Sequence, residues 1–200
     1  MYPRYAAMLL DLPRLTSKTP YFSPDSLLAG EGYPHFQFVL PITLQAYNVL
    51  TIISPLPQDT FVVGCAFSEK IIYPDTFVNN PDFHDPVFST KYGIYSPHCG
   101  LDNVMLSWGH DEYLYHVLKD QSTLPEEGLA MIRYHSFYPW HRESAYSHLT
   151  NEKDAKTLEA VKAFNPYDLY SKNDEPCNVE KLRPYYEGLI AKFFPSIINW

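Results

Sequence analysis

The sequence predicts an all-α fold, and three observations carry that reading. Apolar residues recur at helical spacing through Leu101–Leu118. The string Thr123-Leu124-Pro125-Glu126 has capping-box spacing, with proline in a helix's first turn. Two further amphipathic stretches, Asp154 to about Phe164 and Leu182 to Phe193, follow before the end of the chain.

Residues 1–58 have a different texture. Proline, serine and glycine punctuate Met1–His35 without a period of 3.6 or 2, and an irregular or disordered segment is expected. Phe36–Gln58 then carries no charged residue. Its length approaches a membrane span, which needs roughly 20 apolar residues. Pro41, Gln45, Asn48 and Pro55 interrupt it, however, and no Lys or Arg cluster flanks it, so a membrane role is not expected.

From Asp59 onward the pattern is that of a folded domain, 59–200. Thr60–Phe67 is a short β-branched run around Gly64 and reads as extended. Residues 69–100 are rich in Pro, Asp, Asn and Tyr and read as a long ordered loop. His84 and His98 lie in it as polar loop residues.

In 101–118, Leu101, Val104, Met105, Trp108, Tyr115 and Leu118 form one apolar stripe, and Leu106, His110, Tyr113, Leu114 and Val117 a second. A helix apolar on most of its circumference is buried, which places His110 inside. The next helix is expected to run from the capping box through Leu129 and Ile132 to Pro139, with His135 near its C-terminal end. Asn165-Pro166 is expected to end the third helix and start a new turn carrying Asp168. His141 is expected to leave the helix; His116 and His148 read as surface residues. The Glu126–Glu127 pair suits the positive end of a helix dipole.

Composition excludes several classes. A net charge of -8 offers no basic face for a nucleic-acid backbone. Cys65, Cys99 and Cys177 form no CxxC pair, so neither a zinc knuckle nor a redox dithiol is written here, and reduced thiols are expected. There is no GxGxxG, P-loop or GxSxG string.

What remains is a donor set: His110 and His135 in aromatic surroundings, with Asp168 on a third element. Two imidazoles and a carboxylate match the donors of non-haem iron sites that keep positions open for oxygen and substrate. The His110-Asp111 dipeptide also permits a phosphohydrolase-type reading in which both residues bind metal. Adjacent helix positions diverge by about 100°, so Asp111 is expected on the solvent side or orienting an imidazole.

From Asp59 to Trp200 the chain resembles the myo-inositol oxygenases. The resemblance is carried by Asp59-Thr60-Phe61, Val63-Gly64-Cys65, Pro97 through Asp102, Ser107 through Tyr113, His135 through His141, Asp168-Leu169-Tyr170 and Lys181 through Tyr186. It implies an HD-domain-like helical bundle, a cytoplasmic enzyme, a two-iron centre, and cleavage of the myo-inositol ring with O2 to D-glucuronate. By position, His110 and His135 resemble ligands of one iron and Asp168 the terminal carboxylate of the other. Asp59, His135 and Ser136 resemble residues that hold substrate hydroxyls. No residue is assigned a catalytic role.

The departures lie before Asp59. No HDxxK-like string occurs in residues 1–58, whereas the resemblance calls for a histidine, a bridging aspartate and a lysine from that region. Gln58 stands where glycine is expected and Val62 where proline is expected. The expectation is a truncated bundle with part of each iron's ligand set and no turnover. The alternative is an inactive remnant that binds metal or pairs with another chain through an exposed apolar helix face.

Overall fold

The computed structural model describes residues 59–169 and 178–200. The expectations for residues 1–58 and for Cys177 fall outside them. Among the described residues the chain is mostly helical, in agreement with the all-α reading. Six α-helices accompany one two-stranded ladder and two 3-10 turns. None of these helices is long and apolar enough to cross a membrane.

The extended run appears as β1 (Val62–Val63), paired antiparallel with β2 (Met105–Leu106) in the register Val62 to Leu106 and Val63 to Met105. The pairing continues one residue outward, where the Ser107 amide donates to the Phe61 carbonyl at 2.8 Å. The ladder corrects the helix expected over 101–118. Val104 and Leu106 are buried while Met105 is 54% exposed, an alternation of period 2. Leu101–Asn103 forms a 3-10 turn, and the helix α2 starts only at His110 and ends at Leu118. Gly109 precedes it in extended conformation, and Trp108, placed on a buried stripe by the sequence, is 70% exposed.

The loop of residues 69–100 folds back on β1. It holds a 3-10 turn at Pro74–Asn79 and a single helical turn, α1 (Pro81–His84), whose N-terminus is capped by the Asn80 side chain. The Ala66 amide reaches the Thr90 carbonyl at 2.9 Å, and the Ile94 amide reaches that of Gly64 at 3.0 Å. Gly93, at φ 55, permits this close approach; a Cβ there would sit 1.8 Å from the Gly64 oxygen. His84 and His98 are exposed and bonded to backbone carbonyls, as loop residues.

The next helix, α3 (Glu126–Tyr134), is preceded by Pro125 with no side-chain cap. The Thr123 amide instead bonds the Phe193 carbonyl at 2.8 Å, so the capping box does not form. Helix α3 also stops at His135 rather than Pro139, which instead lies in the first turn of a short α4 (Tyr138–His141). The long α5 (Glu152–Leu169) runs through Pro166. Asn165-Pro166 therefore does not end it, and Asp168 lies on its last turn rather than on a new one. Pro166 has no N–H to give to the carbonyl four residues earlier, so α5 continues past it with one fewer backbone hydrogen bond. Helix α6 (Val179–Phe193) begins with the Asn178 side chain accepting from the Lys181 amide.

Helix α2 packs on α3, and α3 and α4 pack on α5. Two apolar clusters result. Leu114, Leu118, Met131, Ile132, Ala160, Phe164 and Phe193 fill one. Val62, Leu101, Leu106, Ala130, Phe137, Trp140 and Val161 fill the other, beneath the ladder. Each fully buried phenylalanine, Phe137 and Phe164, contributes roughly 2–3 kcal/mol of apolar burial. Helices α3 and α5 belong to both clusters, and the candidate site lies where they meet.

Candidate functional site

Helix α2 presents His110 from its first residue, and α3 presents His135 just past its last. Both imidazoles are buried, at 3% exposure each. Their Nε2 atoms approach to 2.9 Å, with the rings at 73° to each other. The Nδ1 of His135 lies 2.9 Å from the Ile132 carbonyl oxygen, which accepts its proton. That leaves His135 Nε2 as a bare lone pair, to which His110 Nε2–H donates. Burial, and secondarily the His135 ring, hold His110 down to about 3. Both imidazoles are neutral in this arrangement, and for His110 Nε2 to join His135 Nε2 on a metal its proton would have to shift to Nδ1.

The pair fits one divalent transition-metal ion. Metal–nitrogen bonds of about 2.1 Å meeting at a right angle place their nitrogens roughly 3 Å apart. Among the described residues no group of three or more His, Cys, Asp or Glu side chains converges in this way. His110 and His135 are thus brought together, and Asp168 does not complete a cluster with them. Asp168 lies one helical turn beyond Phe164, whose ring meets the His135 ring edge-on at 6.3 Å. Burial raises its carboxyl above the ordinary range, with His135 acting in the opposite direction. The described residues therefore fit a two-nitrogen site for one ion and do not by themselves form a two-metal centre.

The Ser136 hydroxyl lies 3.4 Å from His110 Nε2. Asp59 accepts from the Ile72 amide through Oδ2 at 2.8 Å, while its Oδ1 is buried without a hydrogen-bond partner. Burial pushes the Asp59 carboxyl up to about 6. An acceptor in that condition suits a ligand hydroxyl. Thr60, next in sequence, bridges these parts: its amide bonds the Ser136 carbonyl at 3.0 Å, and its hydroxyl donates to Asp111. Asp111 is 1% exposed, which removes the solvent-side alternative. Burial raises its carboxyl; His135, the Thr60 hydroxyl and the Glu112 amide oppose that effect.

Other residues emerge only in three dimensions. His141, expected to leave the helix, is buried on α4, and its Nε2 donates to the His135 carbonyl at 3.0 Å. His116 is partly exposed, but it has an acidic partner that was not expected, Glu112 at 3.1 Å. Glu112 and Arg133 form a buried ion pair beside the histidines, with Nε to Oε2 at 2.7 Å. Burial opposes the guanidinium charge, yet the Glu112 hydrogen bond holds Arg133 above its ordinary value. Two charged residues inside apolar helical patterns were the available sign, since such groups are buried only when paired.

Residues 54–200 match the sequence model described as Myo-inositol oxygenase. Inositol oxygenase 5 of Arabidopsis thaliana is 55% identical over 151 residues, covering 72% of this chain and 48% of that protein. Inositol oxygenase of Danio rerio is 54% identical over 144 residues, with 71% and 52% covered. That of Dictyostelium discoideum is 53% identical over 143 residues, with 71% and 49% covered. The chain spans about half the length of these curated relatives.

Proposed function

Since the chain belongs to the myo-inositol oxygenase family, we propose that it supplies part of an inositol oxygenase site. His110 and His135 hold one iron, Asp168 offers a carboxylate toward a second, and Asp59, His135 and Ser136 hold hydroxyls of myo-inositol. The overall reaction consumes myo-inositol and O2 and yields D-glucuronate and water, a step in inositol catabolism. The observation that supports this most directly is the 2.9 Å approach of the two Nε2 atoms. A complete two-iron centre needs donors beyond these three side chains, so the described residues account for part of the chemistry only.

Bound iron would supply the one-electron chemistry that O2 requires. The chain's own contribution is placement. The Ile132 carbonyl fixes the His135 tautomer, and His141 holds the turn that follows α3. Asp59 Oδ1 accepts a substrate hydroxyl, and Ser136 offers a second contact beside His110. Burial of both imidazoles keeps bulk water from competing for the ion. Free Cys65 and Cys99 suit a reducing compartment, the cytoplasm.

An exposed aromatic face favours a second reading, an inactive remnant that pairs with another chain. Trp108 is 70% and Trp200 42% exposed, with Tyr113 in ring contact with both. One experiment separates the readings: anaerobic loading of the purified chain with Fe(II), then addition of O2 and myo-inositol with D-glucuronate quantified. Repeated turnover that is lost in His110→Ala supports the oxygenase. Iron bound without glucuronate supports the remnant, and absence of iron binding overturns the assignment of the histidines.

A further inference from the structure

We propose that the buried Glu112–Arg133 pair is a positioning device that sets the spacing of the two imidazoles. The inference rests on His110 and His135 being metal ligands and adds residues that act through them.

His110 opens α2 and His135 follows the last residue of α3. Helix ends lack half of their backbone partners and fray. No side chain caps α2 at Gly109. A two-nitrogen site built from such ends needs an external clamp. Glu112 lies in the first turn of α2 and Arg133 in the last turn of α3, so their ion pair joins the two ends that carry the imidazoles.

The joint is specific. Arg133 Nε donates to Glu112 Oε2 at 2.7 Å and Nη2 to Oε1 at 2.9 Å. Nη2 also reaches the Val104 carbonyl at 3.2 Å. Nη1 donates to the Leu101 carbonyl at 3.3 Å and the Tyr134 hydroxyl at 3.0 Å. All five guanidinium N–H groups are used, which a lysine ammonium cannot reproduce. From α2, Tyr115 also lays its ring 4.5 Å from the guanidinium carbon. Both members of the pair are almost wholly buried. Such pairs give little net stability over apolar replacements of similar size, so their value here is geometric.

The test compares the full chain with the double variant Glu112→Leu/Arg133→Met. Folding is read by circular dichroism and the cooperativity of melting. Co(II) serves as the metal probe, titrated by its visible absorption. In the metal-free chain, long-range proton–nitrogen correlation spectra report the imidazole tautomers. The folded double variant is expected to bind Co(II) about tenfold or more weakly, with averaged tautomers at His110 and His135. Should it fail to fold, Arg133→Lys, which keeps the charge and loses the fork, is read in the same way.

Affinity within about twofold of the parent, with unchanged tautomers, would overturn the proposal whatever happens to the melting temperature. A parent that binds no Co(II) defeats the metal assignment alone, because the metal-free tautomer comparison still decides whether the pair positions the rings.

Discussion

The Thr60 hydroxyl donates to the Asp111 carboxylate in the interior, joining residues 51 positions apart in sequence. That bond ties the segment before β1 to the first turn of α2, beside His110. Thr60→Val keeps the shape and leaves a buried carboxylate oxygen short of a donor, which costs about 1–3 kcal/mol. Urea denaturation at neutral pH measures it, and Thr60→Ser is expected to retain most of the difference.

Asp59 gives a pH signature. Its carboxyl is raised by burial from 3.8 to about 6 in the folded chain. The folded state therefore favours the protonated form. This contribution is fully present below about pH 4 and is lost as pH rises through about 6. Asp59→Asn removes the ionisation, so the variant gains stability relative to the parent between pH 4 and pH 7. Parallel melting curves across that range check it; a gap independent of pH contradicts the assignment.

Gly93→Ala probes the loop against β1. The added Cβ meets the Gly64 carbonyl oxygen at 1.8 Å and sits at φ 55, where side chains are disfavoured. Backbone is in the way, so the neighbour cannot simply rotate aside. A loss of about 3 kcal/mol is expected in chemical denaturation.

Phe164→Ala probes the support behind His135. The ring is fully buried and meets the imidazole edge-on. Truncation costs about 3–5 kcal/mol, while Phe164→Leu is expected to cost less than half of that.

Much of the helical architecture was legible because periodic apolar residues dominate it. Helices α3 and α5 fall where Leu129, Ile132, Val161 and Phe164 recur at helical spacing, and α6 covers the amphipathic stretch from Leu182 to Phe193. Helix α2 keeps the later part of the His110 stripe but starts at His110, four residues after the stripe's first member, Leu106. The errors came where a local rule competed with a distant partner. Val104-Met105-Leu106 fits a helical stripe as well as an alternating strand, and pairing with Val62–Val63, over forty residues away, decides for the strand. Asn165-Pro166 reads as a stop, yet packing of α5 on α3 and α4 carries the helix past it. At the site, the histidines were visible as imidazoles in apolar company. The Thr60–Asp111 bond, the His141–His135 contact and the Glu112–Arg133 clamp depend on chain segments brought together only by folding, which spacing along one helix cannot show.

The most direct measurement is the X-ray absorption spectrum of the full chain loaded anaerobically with one equivalent of Fe(II). Two imidazoles on the iron are predicted for the parent, and one fewer in His110→Ala and in His135→Ala. Identical imidazole scattering in the parent and both variants would contradict the account.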